Sequence, residues 1–373
     1  MIYYLGYFPG ITKRRQSILA ATNKMEYIYK SLLKCRKDVE LVSCSVSSDK
    51  TGEVGCKKQL GERLKLRQFR TLGRKNKVIN VLDRFLMKWQ LFWYFIFHSR
   101  KTDTIIAYHS PLYCKVLTWL KRIKKWKFIL EVEEIYGDVS GNVRLKKREL
   151  RICKSADAFI FPTELLSYAV NLRQKPYIVI HGTYQIEPDR RVRFHDGKIH
   201  VVYAGTFDPR KGGAIAAVAA GEFLPENYHI HIIGFGSEKD KKYLLDEIEK
   251  VSKKSKCTVT YDGLKSGEDY IRFIQSCDIG LSTQNPDAAF NETSFPSKVL
   301  SYLANGLRVV SIRIKALEQS AVNDLLFYYD KNSPQAIADA IKSVNLKILY
   351  DSRKRIFDLS ENFIREIEAL TQD

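Results

Sequence analysis

The residues best suited to meet an anion are Val201-Val-Tyr-Ala-Gly-Thr-Phe-Asp-Pro-Arg-Lys-Gly-Gly213. A β-rich run that ends in Gly205 lets a ligand approach backbone N–H groups. Arg210 and Lys211 precede a small-residue helix whose amino end carries positive dipole charge. The spacings GxxxxGK[ST] and GxGxxG are both missing, which excludes those two phosphate loops. Taken alone, a tight glycine turn with basic residues reads equally well as structural. A second run, His229-Ile-His-Ile-Ile-Gly-Phe-Gly236, brings another turn to the carboxyl edge, where open α/β sheets bind ligands. His229 and His231 share one strand face, but with no Cys or carboxylate beside them in sequence they read as core or edge histidines rather than metal ligands. A third stretch, Asn291-Glu-Thr-Ser-Phe-Pro-Ser-Lys298, opens a helix near Pro296, with Ser294 or Ser297 as its cap. Lys298 in that first turn opposes the helix dipole unless an anion sits there. Asn305-Gly306 closes the helix.

These residues need a scaffold, and the second half supplies a regular one. Strands are expected at 199–204, 229–233, 259–261, 278–282 and 308–312. Helices are expected at 213–221, 238–254, 267–276 and 298–303. In the helix 238–254, Tyr243, Leu244, Leu245, Ile248 and Val251 are expected on the buried side. Strands alternating with helices mean βαβ units and a parallel doubly wound sheet. The first half repeats the alternation less cleanly, with strands at 2–8, 39–46, 104–108, 128–132 and 158–161. The expected division is an N-terminal domain 1–182, a linker 183–197, a second domain 198–350 and a C-terminal helix 351–373 that crosses back.

The chain has 373 residues, 45% hydrophobic and 28% charged, enough for two domains and unlike a fibrous or disordered protein. Its net charge of +20 is uneven. Residues 1–180 hold 36 Lys+Arg against 15 Asp+Glu, whereas 181–373 hold 26 against 27. The basic half therefore faces a polyanion (anionic lipid, nucleic acid or a phosphorylated acceptor) or is simply a solvated surface. Seven cysteines without a CxxC pair read as reduced thiols of a cytosolic protein. No secretory signal is evident, and the apolar run Trp89 to Phe97 is too short to span a bilayer.

In order and spacing, VVYAGTFDPRKGG, IHIIGFGS, YDGLKS…YIRFIQSCDIGLS and SFPSKVLSYLANGLRVVS together resemble the donor-nucleotide domain of GT-B-fold glycosyltransferases of the family 4 type. The resemblance covers roughly 178–315 and reaches the first half by architecture only. It implies two Rossmann-like α/β domains facing a cleft. Carried over by position, it makes Gly205, Lys211 and Gly212 the diphosphate turn, with Lys211 the main cation. Thr206 replaces the family's arginine, and Arg210 is the substitute. Gly234 and Gly236 match its Gly-x-Gly, Gly263 and Leu264 its nucleobase turn, and Pro296, Ser297 and Lys298 its Pro-Ser-Lys turn. Two glutamates eight positions apart are replaced by Thr293 and Ser301, with Glu292 one residue away. Ser294 belongs to the same donor segment. The family works without a metal, so no metal or other cofactor is expected. In its retaining members the leaving phosphate takes the acceptor's proton.

In the first half the resemblance places His109 near the sugar; the alternative is a histidine capping the Ser110-Pro111 turn. Gly10 stands where the acceptor domain approaches the diphosphate. Glu131 and Glu133 share a strand face, and Glu133 or Glu134 is a candidate acceptor contact or part of a solvated edge. Lys57 to Lys77 carries nine basic residues against one acidic, and Phe85 to Phe97 is dense in aromatics beside Arg84, Lys88 and Arg100. Together with Lys121 to Lys127 these stretches suit a membrane surface, while Phe85 to Phe97 reads equally as a buried helix. The expected activity is transfer of a sugar from a UDP- or GDP-sugar to a lipid-linked or saccharide acceptor, in capsule, exopolysaccharide or O-antigen synthesis at the inner membrane face. The alternatives are a GT-B epimerase or phosphorylase, or a nucleic-acid-binding protein, for which no RNA- or DNA-binding signature is present.

Overall fold

A computed structural model describes residues 1–9, 14–16, 19–208, 213–286 and 293–372, except for the side chains of 19 and 20. The chain forms two units, Met1–Ile180 with Glu361–Asp373, and His181–Ser360. The segment 183–197 counts with the second unit.

The first unit runs β1 (Ile2–Gly6), α1 (Leu19–Lys34), β2 (Val39–Ser43), β3 (Cys56–Gly61), β4 (Leu64–Gln68), α2 (Lys77–His98), β5 (Thr104–Tyr108), α3 (Cys114–Lys124), β6 (Lys127–Glu131), α4 (Tyr136–Val139), α5 (Val143–Cys153), β7 (Ala158–Phe161), α6 (Glu164–Val170) and β8 (Tyr177–Val179). Its sheet has the order β3-β4-β2-β1-β5-β6-β7-β8 and is parallel except for β3 against β4. Every residue of β1, β2 and β5 is buried, as expected for strands covered on both faces. The basic stretch 57–77 is largely the β3–β4 hairpin. Lys57 and Lys58 lie exposed on an edge strand, where charge discourages pairing with other chains.

Helix α2 is buried along one side and exposed along the other. Met87, Leu91 and Phe95 enter the core with Leu117, Leu120 and Trp126. On its other side Phe85, Trp89, Trp93 and Phe97 are 67%, 55%, 41% and 73% exposed, a stripe at four-residue spacing. No helix among the described residues is long and apolar enough to cross a membrane.

The second unit runs β9 (Ile199–Thr206), α7 (Ala214–Ala220), β10 (Tyr228–Phe235), α8 (Glu238–Ser252), β11 (Thr258–Tyr261), α9 (Gly267–Ser276), β12 (Ile279–Ser282), α10 (Ser297–Ala304), β13 (Arg308–Ile312), α11 (Lys315–Glu318), β14 (Leu326–Tyr329), α12 (Pro334–Ser343) and α13 (Ser352–Thr371). All six strands are parallel in the order β11-β10-β9-β12-β13-β14. This is a doubly wound sheet whose order reverses between β9 and β12, the position where such sheets hold ligands. One helix face is narrower than expected. In α8 Leu244 and Val251 are buried, but Tyr243 and Leu245 are exposed because they flank the seven-residue strip that meets the sheet. Helix α13 ends in the first unit, where Phe363 and Ile367 are buried, the Tyr27 ring lies 5.7 Å from Phe363 and the Cys35 thiol donates to the Ile364 carbonyl at 3.5 Å. All seven cysteines are free thiols.

Candidate functional site

At the carboxyl edge of the second sheet, β9 and β10 are in register, so Gly205 and Gly234 lie side by side. Gly234 has a φ of 138°, and a Cβ there would stand 1.8 Å from the Gly205 carbonyl oxygen. Only glycine fits. Gly205 also makes room for Lys298, since a Cβ on it would lie 3.3 Å from the Lys298 ammonium. That ammonium sits 4.0 Å from the centre of the Tyr203 ring, and burial pulls its pKa down to about 7. Among the described residues no carboxylate pairs with it. The Tyr203 hydroxyl donates to the Thr206 carbonyl at 3.0 Å and accepts from the Gly213 amide at 3.1 Å, so the ring that supports Lys298 also fixes both ends of the turn after β9. Thr283, just past β12, donates its hydroxyl to the Gly213 carbonyl at 2.8 Å.

The remaining candidates of this unit fall around the same edge. Gly263, at φ 81°, accepts from the Gly234 amide at 3.2 Å, and Leu264 beside it is 67% exposed. Gly236 packs where a Cβ would meet Phe207 at 2.9 Å. The Thr206 hydroxyl accepts from the Asp208 amide at 3.2 Å. Helix α10 starts without a serine cap. Pro296 is the N-cap and its φ of −69° sets the entry; Ser297 is already helical, and neither Ser294 nor Ser297 makes the expected capping bond. Ser301, in place of the family's second glutamate, shares a hydrogen bond of 3.1 Å with the Tyr270 hydroxyl. Gly10, Arg210, Lys211, Gly212 and Glu292 lie outside the described residues.

In the first unit His109 is 1% exposed, and its Nε2 lies 2.9 Å from Glu149, which is fully buried. Glu149 also accepts from the Tyr136 and Gly137 amides at 3.1 and 2.7 Å, so it fixes the start of α4 and the histidine together. His109 therefore caps no Ser110-Pro111 turn, and its Nδ1 has no hydrogen-bond partner. Glu131 is no solvated edge residue. It is fully buried, accepts from the Tyr4 hydroxyl at 2.5 Å and leaves one oxygen without a partner. Burial and the neighbouring Glu133 push its carboxyl well above the usual range. Glu133 instead meets Lys24 at 2.6 Å, and Lys24 also reaches the Ile180 carbonyl. Tyr203, Thr283, Glu149 and Lys24 were not foreseen, because each matters through a partner 10 to 156 residues away.

The sheet register also gathers His200 with His229 and His231. His200 Nδ1 and His231 Nε2 face each other at 2.9 Å, while their outer nitrogens lie 2.9 and 3.0 Å from Asp196 and Asp262. The 2.9 Å spacing is a hydrogen-bond distance, shorter than the about 3.3 Å between ligands of a tetrahedral zinc with bonds of about 2.0–2.1 Å. His229 stacks on His231 with ring centres 3.9 Å apart, and burial, aided by the other histidines, lowers its pKa to about 4.

Residues 198–345 match the family model of glycosyl transferases group 1. No curated protein sequence matches the chain. Among solved structures, a trehalose-6-phosphate structure from E. coli bound with UDP-2-fluoro glucose has a TM-score of 0.67 at 11% identity, covering 99% of this chain and 97% of that one. An α,α-trehalose-phosphate synthase (UDP-forming) from Burkholderia xenovorans, in complex with glucose-6-phosphate, has a TM-score of 0.65 at 11% identity, covering 99% and 100%. The sucrose-phosphate synthase of Thermosynechococcus elongatus has a TM-score of 0.65 at 12% identity, covering 100% and 94%. Residues 198–345 thus resemble the group 1 glycosyltransferase domain, and the chain shares the GT-B fold of these solved structures.

Proposed function

We propose that the chain transfers a sugar from a nucleotide-diphosphate donor, a UDP- or GDP-sugar, to a lipid-linked saccharide in cell-surface polysaccharide assembly. The observation that carries the donor reading is Lys298, a partly desolvated cation without a carboxylate partner among the described residues, held over Tyr203 beside the glycine pair Gly205 and Gly234. A diphosphate at this edge supplies the missing counter-charge, and backbone amides of the glycine turns supply hydrogen bonds. In the transfer the bond from the anomeric carbon to the phosphate oxygen breaks and a bond from the acceptor oxygen forms. The acceptor's proton passes to the departing phosphate with retention at the anomeric carbon. Lys211 and Lys298 stabilise the negative charge that grows on the leaving group, in place of a metal.

The membrane side of the proposal rests on the exposed stripe of α2 with Arg84 and Lys88 beside it. A soluble sugar phosphate is the second reading of the acceptor. It is favoured by the glucose-6-phosphate bound to the Burkholderia xenovorans structure and served equally well by a basic first unit.

The test is thermal melting against UDP, GDP, ADP, CMP and their sugars, with Lys211→Ala alongside. A ligand at about 100 times its Kd adds about 2.7 kcal/mol. One base's diphosphate should raise the midpoint without added metal. Lys211→Ala should lose that rise and keep its own midpoint. No response to any nucleotide defeats the donor reading.

A further inference from the structure

A cleft of about 780 Å³ opens in the first unit where α3 and α5 end and β6 and β7 begin, with Lys101 three residues beyond α2 on its wall. Its volume is that of a ligand site. Seven basic side chains line it against a single acid, Asp157. Two of the seven are engaged internally: Lys121 bonds Asp157 and the Ser155 carbonyl, and Lys127 bonds the Gln372 carbonyl. Lys101, Arg122, Lys125, Arg151 and Lys154 are exposed and make no side-chain hydrogen bond or ion pair among the described residues.

The usual reason for cations here is the negative end of a helix. Two helix ends supply about half a charge each, which offsets one of the surplus cations and leaves the others facing one another. Asp157, the one acid of the cleft, is already taken by Lys121, so an anion bound there would supply the counter-charge that the remaining cations lack among the described residues.

We propose that this cleft binds the phosphate groups of a ligand that carries several of them. Two sources share that chemistry: the headgroups of an anionic bilayer, and a free oligophosphate. Its residues all belong to the first unit, whereas the nucleotide edge belongs to the second, so the proposal does not depend on the donor reading.

The probes are sodium tripolyphosphate and vesicles of phosphatidylglycerol in phosphatidylcholine, with phosphatidylcholine alone as reference. The full-length protein is compared with Arg122→Ser/Arg151→Ser/Lys154→Ser and with Lys50→Ser/Lys57→Ser/Lys58→Ser, which removes the same charge elsewhere. All six side chains are exposed, so both variants should melt like the parent. At about fivefold per cation, the cleft variant should lose on the order of 100-fold in affinity, and the control less than twofold. Loss for tripolyphosphate identifies a free oligophosphate, and loss for the vesicles alone identifies headgroups; either supports the site. Equal loss in both variants, or no binding of either probe by the parent, overturns it. If the triple variant melts early, Arg122→Ser alone should show the fivefold loss, and its absence counts against the proposal.

Discussion

Replacing Lys298 by Met should stabilise the empty protein and weaken its hold on nucleotide. Burial lowers the Lys298 pKa from 10.5 to about 7. A fall of that size corresponds to a ceiling of ~5 kcal/mol against folding. Because the folded value lies below the unfolded one, this cost is complete below pH 7 and fades as pH rises from 7 toward 10.5. The Tyr203 ring returns about 0.5–2 kcal/mol to the charged form. Methionine keeps most of the aliphatic stem and removes the charge. Relief of ~2 kcal/mol of that cost should raise the midpoint of a unit this size by roughly 4–8 °C at pH 6. At pH 9 much of that gain should be gone. Nucleotide binding should move the other way: loss of a hydrogen bond to a charged group costs about 1.5–3 kcal/mol, a tenfold to hundredfold fall in affinity for UDP or GDP. In the parent, binding should weaken from pH 7 to pH 9 as the lysine loses its proton, and in the variant it should be flat. Scanning calorimetry with and without nucleotide at pH 6 and pH 9 reads all four numbers. A variant that melts below the parent at pH 6, or that binds the nucleotide as well as the parent does, would refute the reasoning.

Gly234→Ala forces a side chain into a φ of 138° against the Gly205 carbonyl, and should cost on the order of 3 kcal/mol in urea unfolding while abolishing the nucleotide-induced rise. Glu131→Gln keeps an acceptor for the Tyr4 hydroxyl and removes a carboxyl whose folded pKa is raised. The parent should lose stability as pH rises through that raised value, and the variant should not, so melting curves at pH 5 and pH 9 should diverge only at the higher pH. Trp89→Glu and Trp93→Glu change side chains that are 55% and 41% exposed, so midpoints should stay within about 1 °C of the parent while co-sedimentation with phosphatidylglycerol vesicles falls severalfold.

Much of the second sheet was legible because its strands are short apolar runs closed by glycine, and a chain so punctuated has few other ways to bury them. The helix Gly267–Ser276 and the strand Arg308–Ile312 fall where the residues place them. The hairpin β3–β4 was not legible, since CKKQLG has no alternation and is a strand only because β4 offers it hydrogen bonds at the sheet edge. Nor does α2 reveal its outside: Leu91 and Trp93 are equally apolar in the sequence, and only the placement of α3 and the sheet makes one core and the other surface. At the site, the glycines and Lys298 were readable as anion chemistry. The tyrosine beneath Lys298 and the threonine that clamps Gly213 depend on how segments 10 to 95 residues apart line up.

The passage of α13 from one unit into the other bears on how the protein is made. The first unit is translated ahead of the second, yet part of its interior, Phe363 and Ile367, is synthesised after the second. Until α13 emerges, Tyr27 of α1 and the adjoining Cys35 lack the partners they find on it. A chain cut after Ile180 therefore carries an apolar groove that its own sequence cannot fill, and will tend to aggregate or recruit a chaperone. Helix α13 thus acts as a late closing step, one that delays the finished first unit until the second has been translated.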